Sequence, residues 1–430
     1  MIERLPGFRD FYPPPLPDPD AWSAELRRHL FETWRATARR YGFREYDGPP
    51  LEPLELYTLK SGAEIVAQLY NFRDKGDREV ALRPEMTPTL ARMAAARERH
   101  YRKPLKWFAI PQLFRYERQQ KGRLREHFQF NADILGETAP AADAELIALL
   151  IDALRALGLT AADFVVRLSS RHAWQAFYTR RARDPERAYD FYQAIDKLER
   201  EPAEVSEKRL AALGFALEEV RAFIASAEPT TELHQILDDL AARGLADFVR
   251  VDYGVIRGLA YYTGPVFEAF DRRGEFRAIA GGGRYDNLVK LISGGKVDLP
   301  ALGFGMGDVV LTELLKARGL AARMPAGALD AFVLIEDETL RVESLRLVHG
   351  LREAGLAADY PLAPAKSDKQ FKRALEAGAR HTVRLEKAAD GRLVARIKTL
   401  ATRAETLVAP GVVADRLRAT SPAATATGPA

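Results

Sequence analysis

The chain has 430 residues, and at roughly 100 to 200 residues per domain this length predicts two or three globular units, each able to bury a core. The charges nearly balance, with 64 Lys and Arg against 60 Asp and Glu, so a polyanionic partner must bind a local basic patch. Cysteine is absent, which excludes disulfides, thiolate metal sites and cysteine nucleophiles. No apolar run of about 18 residues and no secretion signal is visible, so we expect a cytoplasmic protein without a membrane segment.

The first part of the chain predicts a helix followed by an interrupted strand. Residues 22–43 carry apolar side chains at helical spacing among basic ones, which indicates an amphipathic helix ending at Gly42. Pro49, Pro50 and Pro53 then interrupt an apolar pattern. Proline cannot donate to a strand ladder, so this segment is expected to form an edge strand or a turn.

The middle of the chain changes from strand-like to helical patterns. Between residues 80 and 135, short β-prone runs are separated by a helical piece at 88–98 and by a basic polar loop. The apolar residues of 143–158 cover most of a helix surface, which predicts a helix buried on more than one side. The densely charged stretch 173–245 reads as short helices, and we interpret it as a helical insertion.

The last part of the chain predicts a change of domain. Strand-like patterns return after the insertion, and the first domain is expected to span residues 1–325. From residue 329 to 412 strands alternate with helices, which predicts a second domain with an α/β sheet of parallel type. Residues 413–430 are expected to form a disordered tail because their end lacks large apolar side chains.

The strongest local signal lies at residues 114–133, FRYERQQKGRLREHFQFNAD, where five cations fall within eleven residues. On a strand, Arg115 and Glu117 share a face, and Gln129 and Asp133 share a face beyond the loop. A guanidinium there can hold a phosphate or a carboxylate with two hydrogen bonds. A solvated basic hairpin is the alternative interpretation.

A second signal is the run VIRGLAYYTGPVFEAF, residues 255–270. Arg257 lies among apolar residues, where a buried cation without an anion is costly, so it must meet an anion. If this run is a strand, Tyr261 and Tyr262 point to opposite faces. Both tyrosines are alternatively ordinary core residues.

Two weaker signals accompany these clusters. The glycines of AGGGRYDNLV, residues 280–289, allow close approach of a ligand or backbone, although a tight turn before a helix is the favoured interpretation. In LRPEMTPT, Glu85 and Thr87 share a face if the segment is a strand. The sequence contains no P-loop, G-x-S-x-G, H-E-x-x-H or EF-hand pattern, so the common nucleotide, hydrolase and metal motifs are excluded.

Together these segments resemble the histidyl-tRNA synthetases, a family of class II aminoacyl-tRNA synthetases, from about residue 5 to residue 408. GFRDFYP resembles the family's N-terminal strand, PPLEPLELY its motif 1 with Pro49 at the dimer interface, and the 114–136 segment its motif 2. RGLAYYTG resembles the histidine-specific segment, and AGGGRYDNLV followed by GFGMGD resembles the approach to motif 3. KSDKQFKRALEAGA resembles a helix of the anticodon-binding domain.

This resemblance implies the fold and the activity. The fold is an α+β catalytic domain with an antiparallel sheet, carrying the helical insertion, followed by a C-terminal α/β anticodon-binding domain. The expected activity is that of a histidine–tRNA ligase, in which histidine attacks ATP to give histidyl adenylate and the 3′ end of tRNA(His) then accepts the histidyl group. The expected partners are L-histidine, ATP with Mg²⁺, tRNA(His) and a second copy of the chain in a homodimer, with no dedicated protein metal site.

The resemblance also assigns roles to individual residues. Arg257 and Arg115 are the expected catalytic residues. The histidine-binding set is Glu85, Thr87, Arg115, Gln129, Asp133, Arg257, Tyr261 and Tyr262, with Asp133 and Tyr262 on the two imidazole nitrogens. The ATP-binding set is Arg115, Glu117, Arg123 and Arg284, and the tRNA acceptor end is expected to meet Arg118, Gln119, Gln120 and Lys121.

The sequence departs from the family pattern at three positions. Val310 stands where motif 3 usually has an arginine near the γ-phosphate of ATP, and valine cannot bind phosphate. Ala260 replaces a more usual Asp, and Gln119 replaces a Pro. Because Val310 leaves the γ-phosphate without its usual arginine, we expect Arg284 to supply that cation instead.

Two other functions remain open from the sequence. The regulatory subunit of ATP phosphoribosyltransferase resembles this catalytic domain and binds histidine without charging tRNA. Against it stand the retained Arg115, Glu117, Arg123 and Arg257 and the presence of a C-terminal α/β domain. An RNA-binding protein without an active site is the third possibility.

Overall fold

The protein is described by a computed structural model that covers residues 2–61, 63–116, 124–181, 184, 187–198, 201–256, 261–321 and 329–420. The chain divides into two compact units: residues 1–11 with 26–323, and residues 12–25 with 324–430. Across the described ranges, every helix is too short or too polar to cross a membrane.

The first and larger unit accounts for most of the strands and helices. In chain order the strands up to its end are β1 (Phe11–Tyr12), β2 (Trp22–Ser23), β3 (Arg44–Glu45), β4 (Leu51–Pro53), β5 (Asn71–Arg73), β6 (Glu79–Leu82), β7 (Leu105–Ala109), β8 (Gln112–Phe114), β9 (Glu126–Leu135), β10 (Phe164–Ser170), β11 (Val249–Val251), β12 (Pro265–Asp271), β13 (Ala280–Arg284) and β14 (Ala301–Gly307). The helices are α1 (Ala24–Arg40), α2 (Glu55–Ser61), α3 (Thr87–Arg97), α4 (Pro140–Arg155), α5 (Arg171–Thr179), α6 (Ala188–Lys197), α7 (Ala203–Ala211), α8 (Leu217–Ser226), α9 (Thr231–Ala242), α10 (Leu288–Ile292) and α11 (Asp308–Ala317).

A largely antiparallel sheet forms the centre of this unit. In the described part of the chain its strand order is β11-β10-β12-β13-β14-β9-β7-β3, and β8 also pairs with β9. Only the outer pairs β10–β11 and β3–β7 are parallel. The antiparallel α+β architecture expected from the sequence is therefore confirmed, with β9, β13 and β14 in the middle of the sheet.

One face of these central strands packs against helices. The ring of Trp34 on α1 stacks on Phe130 of β9 at 5.7 Å, and Phe130 meets Phe304 of β14 edge to face at 5.4 Å. Helix α4 begins with Pro140 in its first turn, and its buried Leu and Ile side chains lie on more than one side, as its pattern predicts. Because one face is covered by helices, the opposite face is left to carry the site.

The stretch after β10 is helical. The described parts of residues 171–242 form α5 to α9, and their aromatic side chains make a small core of their own. Trp174 contacts Phe223 at 4.7 Å between ring centres, and Phe191 contacts Phe215 at 4.6 Å. These helices therefore have an apolar centre despite their dense charge.

The second unit contains a mixed sheet. Its strands are β15 (Ala331–Leu334), β16 (Ala358–Asp359), β17 (His381–Lys387), β18 (Leu393–Thr399) and β19 (Glu405–Val408), and its helices are α12 (Arg341–Glu353), α13 (Ser367–Glu376) and α14 (Val413–Thr420). In the order β16-β15-β17-β18-β19, the first three strands are parallel and the last two pairs are antiparallel. The parallel pairing expected from alternating strands and helices is thus found in only two of the four described strand pairs.

The expected disordered tail is corrected in its first part. Residues 413–420 form α14, because Val413 and Leu417 lie one helical turn apart and both are fully buried in the core of this unit. The sequence pattern underrates this helix because the remaining side chains are small or charged. Residues 421–430 lie outside the described residues.

A buried ion network joins three distant segments of the larger unit. Arg9 donates to Glu126 at the start of β9 at 2.6 Å and to Asp308 at the start of α11 at 2.9 Å. Asp308 also accepts from the backbone N–H of Phe128 at 2.9 Å. All three charged side chains are at most 2% exposed, so the two carboxylates depend on Arg9 for their counter-charge.

Candidate active site

The floor of the site is a patch of glycines on the central strands. In the ladder, Asp133 of β9 pairs with Gly303 of β14, and Gly303 pairs with Gly283 of β13. Residues directly opposite one another in antiparallel strands point to the same face. The Asp133 carboxylate consequently lies over a strand that has no side chain of its own at that point.

Both glycines on β14 are required by the neighbouring side chains. A Cβ on Gly303 would lie 1.8 Å from Oδ1 of Asp133, and a Cβ on Gly305 would lie 2.6 Å from the amide carbon of Gln129. Contacts this short do not occur between real atoms. The glycines therefore make room for the polar side chains of β9, and the alternating GFGMG pattern is the sequence signal of this open face.

A small cavity of about 70 Å³ lies above this floor. It is lined by seven residues of the predicted histidine-binding set, namely Glu85, Thr87, Arg115, Gln129, Asp133, Tyr261 and Tyr262. It is also lined by Asn131 and Tyr285, which the sequence reasoning missed, although Asn131 continues the predicted polar stripe of Gln129 and Asp133. The described members of that set thus converge on one cavity.

The segment with Glu85 and Thr87 is not a strand, contrary to the expectation. Strand β6 ends at Leu82 and α3 begins at Thr87, with proline next to the helix start. The loop is held by Arg83, which donates to the carbonyl of Gly48 at 2.6 Å, and by Arg115, whose Nε donates to the carbonyl of Pro84 at 3.1 Å. Both predicted side chains still line the cavity because the loop folds over it.

Asp133 is the buried acid of the cavity. It is 3% exposed, and Tyr285 donates its hydroxyl to Oδ1 of Asp133 at 2.5 Å. Burial raises the pKa of Asp133 to about 7, and the tyrosine hydrogen bond opposes part of that rise. A carboxylate that lacks an arginine partner among its described contacts and accepts from one hydroxyl keeps its other oxygen for a ligand N–H.

The two neighbouring tyrosines face the same cavity, so the expectation that they point to opposite faces is wrong. Strand β12 begins only at Pro265, and Tyr261 and Tyr262 lie before it with their ring centres 4.8 Å apart. The ring of Tyr262 lies over Gly283, where a Cβ would be 2.9 Å from it. Tyr262 and Asp133 thus flank the glycine floor from two sides.

The expected turn at residues 280–284 is also wrong, because this glycine run is the central strand β13. On its core face a Cβ at Gly282 would lie 2.4 Å from the carbonyl oxygen of Gly303 and 2.8 Å from the ring of Phe267. On the other face Gly281 and Gly283 border the site. The close approach of backbone that glycine permits is the correct interpretation.

A larger cavity of about 710 Å³ adjoins the small one. Four residues line both, namely Arg115, Gln129, Gly281 and Gly305. The larger cavity is further lined by the basic side chains Arg167 and Arg277, by the carboxylates of Glu268 and Asp196, and by Val310. A compartment of this size and charge suits a phosphate-bearing ligand.

Arg284 does not line either cavity, so the structure does not bring this predicted ATP residue to the site. It lies on the core face of β13, is 3% exposed, and forms a buried ion pair with Asp143 of α4. It also donates to the carbonyl of Glu137 at 2.8 Å. The alternation of a strand explains the correction, because Arg284 follows the site-facing Gly283 by one residue.

Several predicted residues cannot be compared with the structure. Glu117, Arg118, Gln119, Gln120, Lys121, Arg123, Arg257 and Ala260 lie outside the described residues. Their roles remain predictions.

Comparisons with known proteins show the family of this chain. The family model for histidyl-tRNA synthetase matches residues 16–308. The histidine–tRNA ligase of Opitutus terrae is 46% identical over 429 residues, covering 94% of this chain and 95% of the relative, and that of Thermoplasma volcanium is 37% identical over 404 residues, covering 89% and 90%. The crystal structure of histidyl-tRNA synthetase from Nostoc sp. PCC 7120 has a TM-score of 0.76 at 22% identity, covering 92% of this chain and 95% of that one. Full-length matches at this identity identify the chain as a member of the histidyl-tRNA synthetase family.

Proposed function

We propose that this chain is a histidine–tRNA ligase that activates L-histidine with ATP and transfers it to tRNA(His). The observation that carries the proposal is the pair of adjoining cavities, which share Arg115 and Gln129. The smaller one is lined by the residues expected to bind histidine, and the larger one has the size and the cations needed by a nucleoside triphosphate. The reacting groups would meet where the cavities join.

Histidine would bind with its ring at the closed end of the small cavity. Asp133 accepts one ring N–H and the hydroxyl of Tyr262 meets the other nitrogen, which fixes the tautomer of the ring. Glu85, Thr87 and Gln129, which line the same cavity, would bind the amino and carboxylate ends. A pocket with buried polar groups at both ring nitrogens rejects isosteres that lack a ring N–H, because those groups are left unpaired.

ATP would bind in the larger cavity with its α-phosphate at Arg115. A carboxylate oxygen of histidine attacks the α-phosphorus, and the bond to the bridging oxygen of the β-phosphate breaks, so pyrophosphate leaves with the electron pair. Arg115, with Arg257, stabilises charge on the α-phosphate during this step. No covalent enzyme intermediate forms, so the absence of cysteine has no chemical cost.

Because Val310 stands in place of an arginine, the γ-phosphate of ATP needs another cation. Since Arg284 lines neither cavity, we assign this role to Arg167 and Arg277, which line the larger cavity. Mg²⁺ would neutralise phosphate charge there. We propose that this Mg²⁺ would be held mainly by the phosphates, with Glu268 of the larger cavity alongside.

The second step needs tRNA. A hydroxyl of the 3′-terminal ribose attacks the carbonyl carbon of the adenylate, and AMP leaves. We propose that the acceptor end of the tRNA binds Arg118, Gln119, Gln120 and Lys121, and that its anticodon binds the α/β domain at 329–412. The helical insertion at 173–245 belongs to the catalytic domain of residues 1–325 in this proposal. Phosphate contacts make tRNA binding steeply dependent on salt.

We further propose that the enzyme is a homodimer acting in the cytoplasm. The support is the small sheet β4-β6-β5 next to Pro49, which carries exposed apolar side chains. Leu51 is 37% exposed and Phe72 is 51% exposed. A second copy of the chain would cover them.

The test is histidine-dependent exchange of pyrophosphate into ATP, followed by charging of tRNA(His). We expect exchange with histidine and with no other amino acid, and loss of exchange in Arg115→Ala. Histidine that raises the melting temperature without any exchange would instead identify a regulatory histidine-binding protein. The 46% identity to a histidine–tRNA ligase over 94% of this chain favours the ligase.

A further inference from the structure

Asn131 is a polar residue of the small cavity that the proposed function leaves without a role. It lies on β9 between Gln129 and Asp133 and is 5% exposed. Its side chain lines the small cavity but not the larger one. A side chain this deeply buried loses its hydrogen bonds to water and needs partners inside the protein or on a ligand.

The protein does not supply all of those partners. Within the described part of the chain, Nδ2 of Asn131 has no hydrogen-bond acceptor. Asn131 pairs in the ladder with Gly305, which has no side chain to offer. Because no acceptor holds Nδ2 in place, the amide can turn over and present its oxygen to the cavity, where it can accept a hydrogen bond from a ligand N–H.

The register of the strands indicates which part of bound histidine lies near the side chain of Asn131. Asp133, Gly303 and Gly283 form one row across the sheet, and Asn131, Gly305 and Gly281 form the neighbouring row. Rows of the same face are about 7 Å apart along the strands. A ring held at Asp133 and Tyr262 therefore leaves the backbone end of histidine above the row of Asn131.

The backbone end of histidine carries a carboxylate and an ammonium group, and the positions of the two cavities indicate where each group lies. The carboxylate must reach ATP, so it belongs at the junction, which Arg115 lines and Asn131 does not. The ammonium group points elsewhere and carries three N–H donors, each of which needs an acceptor when buried. The amide of Gln129 lies over Gly305, the ladder partner of Asn131, and Glu85, Gln129 and Asn131 all line the small cavity.

We propose that the side-chain oxygen of Asn131 accepts a hydrogen bond from the α-ammonium group of bound histidine and selects ligands that carry this group. The proposal rests on histidine binding in the small cavity, as the proposed function has it. Glu85, Gln129 and Asn131 then supply one acceptor for each ammonium N–H.

The experiment compares three ligands without ATP, with binding measured by calorimetry. Histidine has the ring, the ammonium and the carboxylate, histidinol lacks the carboxylate, and 3-(imidazol-4-yl)propionate lacks the ammonium. Asn131→Ala is expected to weaken histidine and histidinol alike, by about tenfold or more, because the lost bond involves a charged donor. The affinity for imidazolylpropionate is expected to stay within about twofold of wild type. Equal weakening of all three ligands, or of none, would overturn the proposal.

A second variant gives a test of sign that does not depend on deleting the side chain. Asn131→Asp keeps the shape and places an anion beside the ammonium, so histidine and histidinol are expected to bind at least as tightly as to wild type. Loss of histidine binding in this variant would contradict the proposal. The matched control is Asp133→Asn, which is expected to weaken all three ligands because all three carry the ring. A wild-type protein that binds none of the three would refute the proposed function itself.

Discussion

On the site face of the central strands, Gly303 and Gly305 lie beneath the side chains of Asp133 and Gln129, whereas on the core face Gly282 lies against backbone and the ring of Phe267. Charge differs between the faces in the same way. On the core face Arg284 is paired with Asp143, and on the site face Asp133 accepts only from Tyr285 among its described contacts. Glycines and charged side chains therefore stabilise the packing on the core face, whereas on the site face they leave space and hydrogen-bonding groups for a ligand.

The largest expected effect tests the core face. Arg284→Met leaves the Asp143 carboxylate buried without its cation, so we expect the free energy of unfolding to fall by about 3–5 kcal/mol. The measurement is urea unfolding. The KM for ATP of the folded variant is expected to stay at the wild-type value, because Arg284 does not line the larger cavity.

A double variant is the control for this prediction. Arg284→Met combined with Asp143→Leu removes both charges, and we expect it to recover most of the lost stability. A singly substituted protein with normal stability and a raised KM for ATP would restore Arg284 to the phosphate site.

The second prediction compares a glycine-to-alanine substitution on the core face of the sheet with the same substitution on the site face. Gly282→Ala drives a Cβ into the backbone of β14, so we expect a loss of about 1–3 kcal/mol in the free energy of unfolding. A Cβ at Gly303 meets mainly the Asp133 carboxylate, with the carbonyl oxygen of Ala132 farther away at 3.1 Å, so we expect Gly303→Ala to lose less stability than Gly282→Ala and to lose histidine affinity by about tenfold or more. Unfolding curves and calorimetry on both variants check this, and the reverse pattern would break the comparison.

The third prediction concerns pH and Asp133, whose pKa burial raises to about 7. The ionised carboxylate accepts the ring N–H, so histidine affinity should fall as pH drops below about 7. Stability should move the other way: the unfolded carboxyl releases its proton near its ordinary pKa of 3.8 and the folded one near 7, so the free energy of unfolding should decrease as pH rises through that window.

The control is Asp133→Asn, which removes this titration while the ring of free histidine, with a pKa of about 6.5, still titrates. The difference between the two pH profiles isolates Asp133. Identical profiles for wild type and variant would show that Asp133 does not titrate in this range.

The smallest expected effect comes from Tyr285→Phe. Its hydroxyl lowers the pKa of Asp133, so removal of the hydroxyl should raise that pKa further, by about one unit for one hydrogen bond. The pH dependence of histidine affinity should therefore move to higher pH. A shift to lower pH would contradict the assigned hydrogen bond.

The sequence predicted best the features that depend on local periodicity. The polar stripe of β9 alternates strictly, so Gln129 and Asp133 were correctly placed on one face, and burial of α4 followed from its apolar circumference. The glycine run 280–284 was read as a turn because a strand of bare glycines is stable only between the neighbours β12 and β14, which a local pattern does not contain. Asn131 belongs to the same alternating stripe and could have been predicted from it, whereas Tyr285 was missed because its contact with Asp133 joins residues 152 positions apart.

The ion network of Arg9, Glu126 and Asp308 has a consequence for the order of synthesis. Arg9 precedes its partner Asp308 by 299 residues along the chain. At about 5–20 residues per second, the ribosome supplies that partner some 15 to 60 s after Arg9. During this interval a nascent chain can form only the contact of Arg9 with Glu126, so the network closes only after nearly the whole larger unit has emerged.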